Sequence, residues 1–165
     1  GQTDMGTTPH VYQDLFQLSI PDFMDSLPNL TKGTEIQFGE EHENIFLAVH
    51  YTHRDSLGSN NPDAILDSLF AFHQENLLLN LKDAETEGTD SLKNDPLLGL
   101  QGQILGSYKG QSITYDLCIW EGKHHFYQIL FWFPSAEEEK WQQMVDKVQL
   151  SLSEIQASKD CLDMP

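Results

Sequence analysis

The stretch Glu121-Gly-Lys-His-His-Phe-Tyr-Gln-Ile-Leu-Phe-Trp-Phe-Pro134 is apolar on both of its alternating sides, with Phe126, Leu130 and Trp132 on one and Tyr127, Ile129, Phe131 and Phe133 on the other. Successive side chains of a strand point to opposite faces, so a strand of this kind has to be covered on both sides and belongs at the centre of a sheet. Just before it, residues 111–120 alternate with Ile113, Tyr115, Leu117 and Ile119 sharing one face, and residues 97–108 form a further strand-like run. Lys109-Gly110 and Glu121-Gly122-Lys123 are short glycine-containing turns, and together the three runs read as an antiparallel meander.

Working outward, Phe16, Leu18 and Ile20 alternate with polar residues until Pro21 stops the run, which predicts a half-buried strand. Residues 34–39 and 45–51 flank the acidic turn Glu40-Glu-His-Glu-Asn44 and predict a hairpin. Turn chemistry at Ser59-Asn-Asn-Pro62 opens a helix running to about Leu81. Its stripe is Leu66, Leu69, Phe70, His73 and Leu77, widened by Ile65, Phe72 and Leu79. Residues 82–94 are polar, acidic and rich in turn formers, so they are expected to form a surface loop. Ser135-Ala-Glu-Glu138 has the pattern of a capping box, and Trp141, Met144, Val145, Val148, Leu152 and Ile155 recur at helical spacing. Residues 1–14 are expected to be a flexible segment, 15–156 a single domain and 157–165 a polar tail.

A chain of 165 residues with 39% hydrophobic residues buries a core of its own without metals or disulfides. Its net charge of −17 repels phosphate backbones and anionic lipid, which argues against nucleic acid as a partner and favours cations or a basic protein surface. The same charge also serves solubility. The longest apolar run, Ile129 to Phe133, is far short of a membrane span. The opening Gly1-Gln-Thr-Asp-Met-Gly-Thr-Thr-Pro9 fits a flexible polar segment left after removal of a signal peptide or a tag, and a lipid anchor upstream stays open. Cys118, within an apolar strand, is expected to be an inert core thiol; whether it pairs with Cys161 in the tail is left open.

The residues that invite a functional reading have a structural one beside it. His124 and His125 are neighbours on a strand and so face opposite sides, and His50 and His53, three apart, do the same, which is poor zinc geometry unless histidines converge across strands. His42 reads as a turn residue and His73 as a packed residue of its helix. Asp83-Ala-Glu-Thr-Glu-Gly88 resembles the start of a calcium loop, but Asn94 stands where the bidentate Glu belongs. No nucleophile elbow, phosphate loop or zinc-protease motif is present, so no catalytic residue is assigned. Trp120 is expected either to pack under a helix or, with Tyr108 and His124, to form a partner-binding patch.

The runs Phe16-Gln-Leu-Ser-Ile-Pro-Asp-Phe-Met24, Leu30-Thr-Lys-Gly-Thr-Glu-Ile-Gln-Phe38, Gly106-Ser-Tyr-Lys-Gly-Gln111 and Phe126-Tyr-Gln-Ile-Leu-Phe-Trp132, with the capped final helix, resemble the PsbP-like group. That group spans a photosystem II extrinsic subunit, a yeast Ran-binding protein and bacterial exported proteins. The resemblance implies an α+β fold in which helices cover an antiparallel sheet as an α/β/α sandwich. It also implies a non-enzymatic, exported or surface-anchored interaction domain with an unknown protein partner, no cofactor and an extracytoplasmic location. Two alternatives stand beside it: a metal-binding protein or metal-assisted enzyme using loop histidines and carboxylates, and a GTPase-binding regulator.

Overall fold

The computed structural model describes residues 5–28, 36–57 and 65–155. Its strands are β1 (Thr7–Tyr12), β2 (Phe16–Pro21), β3 (Asp25–Ser26), β4 (Ile36–Glu40), β5 (Ile45–His53), β6 (Lys82–Asn94), β7 (Leu97–Tyr108), β8 (Gln111–Glu121), β9 (His125–Pro134) and β10 (Ser153–Glu154). The helices are α1 (Ile65–Leu79) and α2 (Glu138–Leu150). A seven-stranded sheet has the order β3-β4-β5-β9-β8-β7-β6, and β1-β2-β10 form a small second sheet. All pairings are antiparallel. The chain has an α+β fold with an antiparallel sheet covered by helices.

β9 stands at the middle of the large sheet, between β5 and β8, where its two apolar faces require it to be. One face carries Tyr127, Ile129, Phe131 and Phe133, which pack with Phe16 and Leu18 of β2 and with Trp141, Val145 and Val148 of α2. The other carries Phe126 and Leu130, which meet Ile65, Phe70 and Leu77 of α1. Burial of these aromatic and aliphatic side chains contributes about 1.5–3 kcal/mol each, and it is the main force holding the layers together.

Several expectations are corrected. Residues 7–12 of the segment taken as flexible pair residue for residue with β2, from Thr7↔Pro21 to Tyr12↔Phe16. Residues 82–94 form a strand, not a loop: β7 needs a partner on its outer side, and that pairing overrides local turn propensity. No apolar alternation marked β6 because nearly all its side chains are exposed. The final helix ends at Leu150, after which residues 153–154 turn into β10, so Leu152 and Ile155 lie beyond it. Residues 135–137 form a 3-10 turn without a side-chain cap, and the Ser135 hydroxyl bonds the Thr114 hydroxyl at 2.8 Å in place of a capping box. Phe72 and Leu79 are exposed because α1 is apolar around most of its circumference and only one side meets the sheet. The expected helix start at 59–62, Thr34 and the tail with Cys161 lie outside the described residues.

Candidate functional site

On the face of the sheet that carries α2, the aromatic core stops at β8, and a polar cleft of about 440 Å³ opens between α2 and the β6–β7 hairpin. Its floor is Asp116 of β8, only 1% exposed. A buried carboxylate accepts hydrogen bonds and donates none, so it needs donors on each oxygen to offset lost hydration. Four glutamine amides provide them. Gln101 and Gln149 donate to Oδ1 at 3.1 and 3.0 Å, and Gln103 and Gln142 donate to Oδ2, both at 3.1 Å. The amides also bond one another, Gln101 to Gln149 and Gln103 to Gln142, both at 2.7 Å. Asp146 of α2 accepts from Gln101 at 3.1 Å and from Gln142 at 3.0 Å.

Gln149 ties this network to the core. Its amide also reaches the backbone carbonyls of Asp116 and Ile129 at 3.3 and 3.4 Å, and the Gln149 backbone carbonyl accepts the Trp120 indole N–H at 2.8 Å. Beside Asp116 on the same face of β8, Cys118 is fully buried, and burial, followed by Asp116 and Asp146, holds its thiol well above the usual range. It is the inert core thiol expected.

The outer wall owes its chemistry to one glycine. In a regular strand Glu87 and Asp90, three apart, would face opposite sides. The register with β7 shifts between Glu87 and Thr89, so Glu87 lies opposite Gln103 and Asp90 opposite Gln101, and both carboxylates turn toward the cleft. Gly88 absorbs the bulge at φ +33°, and a Cβ on Gly102 across from it would stand 2.8 Å from the Gly88 carbonyl oxygen. With Glu138 and Asp146 on the α2 side, the cleft has glutamine amides gathered over Asp116 and a carboxylate rim. Such a lining suits a cationic, hydrogen-bonding group such as a lysine or arginine side chain. The described lining holds no imidazole, thiol or hydroxyl nucleophile.

Asp83-Ala-Glu-Thr-Glu-Gly88 is therefore extended strand and cannot wrap a calcium ion as a loop, although its Glu87 and Gly88 do belong to the site. Trp120 is fully buried and unavailable to a partner; its alternate, core reading holds. Tyr108 is exposed beside Lys109, but the antiparallel register puts it at the opposite end of β7 and β8 from the turn bearing His124. Trp120, Tyr108 and His124 do not form one patch.

The histidines separate into two groups. His50 lies on the α1 face, bonded to the Thr52 hydroxyl at 3.0 Å, and His73 of α1 has its pKa lowered by burial and then by His50. On the α2 face His53 pairs with His125 across β5 and β9, their ring centroids 4.8 Å apart, and His124 stacks on His53 at 6.2 Å. This is the cross-strand convergence left open above. Burial first, then His53, lowers the His125 pKa, and its Nδ1 is buried without a hydrogen-bond partner. Two residues on, the Tyr127 hydroxyl donates to Glu154 of β10 at 2.6 Å; burial and that carboxylate raise its pKa strongly. Among the described residues no group of His, Cys, Asp and Glu has the arrangement to hold a metal ion. His42 is exposed in the β4–β5 turn.

The cleft escaped sequence reasoning because four elements contribute to it. Asp116 did leave a trace: it alternates with Cys118 and Trp120, so it stood on a strand face that goes inside.

No family model matches the chain, and no curated protein matches it in sequence. Solved structures do. The cyanobacterial PsbP protein CyanoP of Synechocystis sp. PCC 6803 matches with a TM-score of 0.63 at 10% identity, over 92% of this chain and 94% of that one. LpqN, described as involved in cell envelope biogenesis in Mycobacterium tuberculosis, matches with a TM-score of 0.63 at 13% identity, over 93% and 92%. The Ran-binding protein Mog1p of Saccharomyces cerevisiae matches with a TM-score of 0.62 at 13% identity, over 94% and 98%. No helix among the described residues is long and apolar enough to cross a membrane. The shared order of strands and helices over nine-tenths of the chain shows that this protein has the PsbP-like fold.

Proposed function

We propose that the chain is a PsbP-like protein-interaction domain with no chemistry of its own, acting outside the cytoplasm, and that it receives a basic surface of a partner protein at the cleft beside α2. The observation that carries this reading is the cleft lining itself, in which Glu87, Asp90, Glu138 and Asp146 surround glutamine amides that a lysine or arginine can meet with charge-assisted hydrogen bonds. The net charge of −17 speeds encounter with such a partner. An extracytoplasmic role is supported by the likeness to LpqN, whose description places it in cell envelope biogenesis. The test is capture from native extract on immobilised protein. A partner held by the natural chain, released by salt and lost from the double variant Asp90→Lys with Asp146→Lys supports the reading; equal retention by both proteins overturns it. A GTPase-binding role is a second reading, favoured by the likeness to a Ran-binding protein. It predicts that mixing with a Ran-type GTPase changes the rate of nucleotide release.

A further inference from the structure

We infer that β6 is a docking edge: a basic extended segment of the partner adds to it as a further strand of the large sheet and lays a lysine or arginine on the cleft carboxylates. This rests on the cleft being the partner-binding site and says how the partner enters it.

β6 closes one end of the seven-stranded sheet and runs for 13 residues, whereas β3 at the opposite end has two. Only its β7 side is paired among the described residues, so alternate N–H and C=O groups along the other side face outward. Such a row is a template for strand addition unless a device blunts it. Proline is absent from β6, and its irregularities lie at Lys82/Glu85 and Glu87/Thr89. From Thr89↔Gly102 to Asn94↔Leu97 the register is continuous, leaving a straight edge long enough for a strand.

Charge selects the occupant. β6 carries Asp83, Glu85, Glu87 and Asp90 against Lys82 and Lys93, so a second copy would bring carboxylates toward carboxylates in a chain already at −17. A lysine-rich strand reverses that interaction, since opposite charges across strands stabilise a pair and like charges destabilise it. Position adds to charge. A new strand lies about 4.8 Å beyond β6, and every second side chain points to the cleft face. A lysine opposite Asp90 then stands at the mouth of the cleft, where the bulge at Gly88 has also turned Glu87. Backbone bonds along the edge supply affinity, and the carboxylates supply the choice of side chain.

The test titrates the full chain with a short peptide of alternating lysine and valine while backbone amide exchange is followed residue by residue. A peptide in which proline replaces valine keeps the charge but cannot form a ladder. The expected result is slowing of about tenfold or more at alternate amides between Thr89 and Asn94 with the lysine–valine peptide and none with the lysine–proline peptide. Binding that perturbs Gln101, Gln142 and Asp146 without protecting β6 amides overturns strand addition and leaves the cleft reading standing. Absence of any response, equal protection by both peptides, or the same protection from raising the protein concentration alone also overturns the inference. The capture experiment above judges the cleft reading separately.

Discussion

The carboxylate cleft and the imidazole cluster lie on the same face of the same sheet and solve opposite problems. At the cleft a carboxylate is buried because four amides from β7 and α2 converge on it. At the cluster three imidazoles gather about one strand end, where burial and then His53 oppose the charging of His125. The first arrangement holds a group that is costly to disturb; the second sets like groups side by side and is only partly buried. The comparison teaches that convergence of complementary groups, and not the number of ionisable residues, separates a built site from a crowded surface.

The largest effect that follows is at Gln149. Gln149→Leu removes one amide donor from the buried Asp116 carboxylate and leaves in place the backbone carbonyl that accepts the Trp120 indole N–H, so it is expected to lower stability by about 3 kcal/mol, read by urea unfolding. Tyr127→Phe, which removes the hydroxyl that Glu154 accepts from in the other region, is expected to cost about 1 kcal/mol in the same assay. If the two losses are equal, the distinction between the regions fails.

The smallest effect is a pH dependence to which His125 of the cluster contributes. The His125 pKa is lowered in the fold, so between that value and its unfolded value of about 6.5 the unfolded chain binds more protons. Stability is therefore full above about pH 6.5 and declines as pH falls through that window. His73 acts in the same direction. Thermal unfolding across this range is expected to show a shallower decline for His125→Gln than for the natural chain, while Gln149→Leu leaves the slope unchanged. An unchanged slope in His125→Gln removes the cluster from the account.

The central hairpin was readable because its signal is local. Residues 126–133 are apolar on both sides except at Gln128, turns with glycine bound the hairpin, and the strand ends fall within a residue of those expected. β6 was not readable, since a strand exposed on both faces has no alternation to show and owes its existence to β7. The cleft followed the same logic. Glu87 and Gly88 drew attention as a calcium loop, but their true neighbours, Gln101, Asp116 and Asp146, are brought to them only by the sheet register and by α2. The histidines were conspicuous for the reverse reason: two are adjacent in sequence, although what brings them to His53 is pairing between β5 and β9.

The short strand β10 joins residues 153–154 to β2 at Gln17 and Phe16, while the Ile155 N–H donates to the Leu15 carbonyl at 2.9 Å and Glu154 takes the Tyr127 hydroxyl. The lesser sheet thus has a member that emerges from the ribosome more than a hundred residues after its companions. Until synthesis reaches that point, β1 and β2 can associate only as a two-stranded ribbon, with the β10 edge of β2 still unclaimed. Assembly of that layer is therefore a late event in the making of the molecule, completed from the far end of the chain.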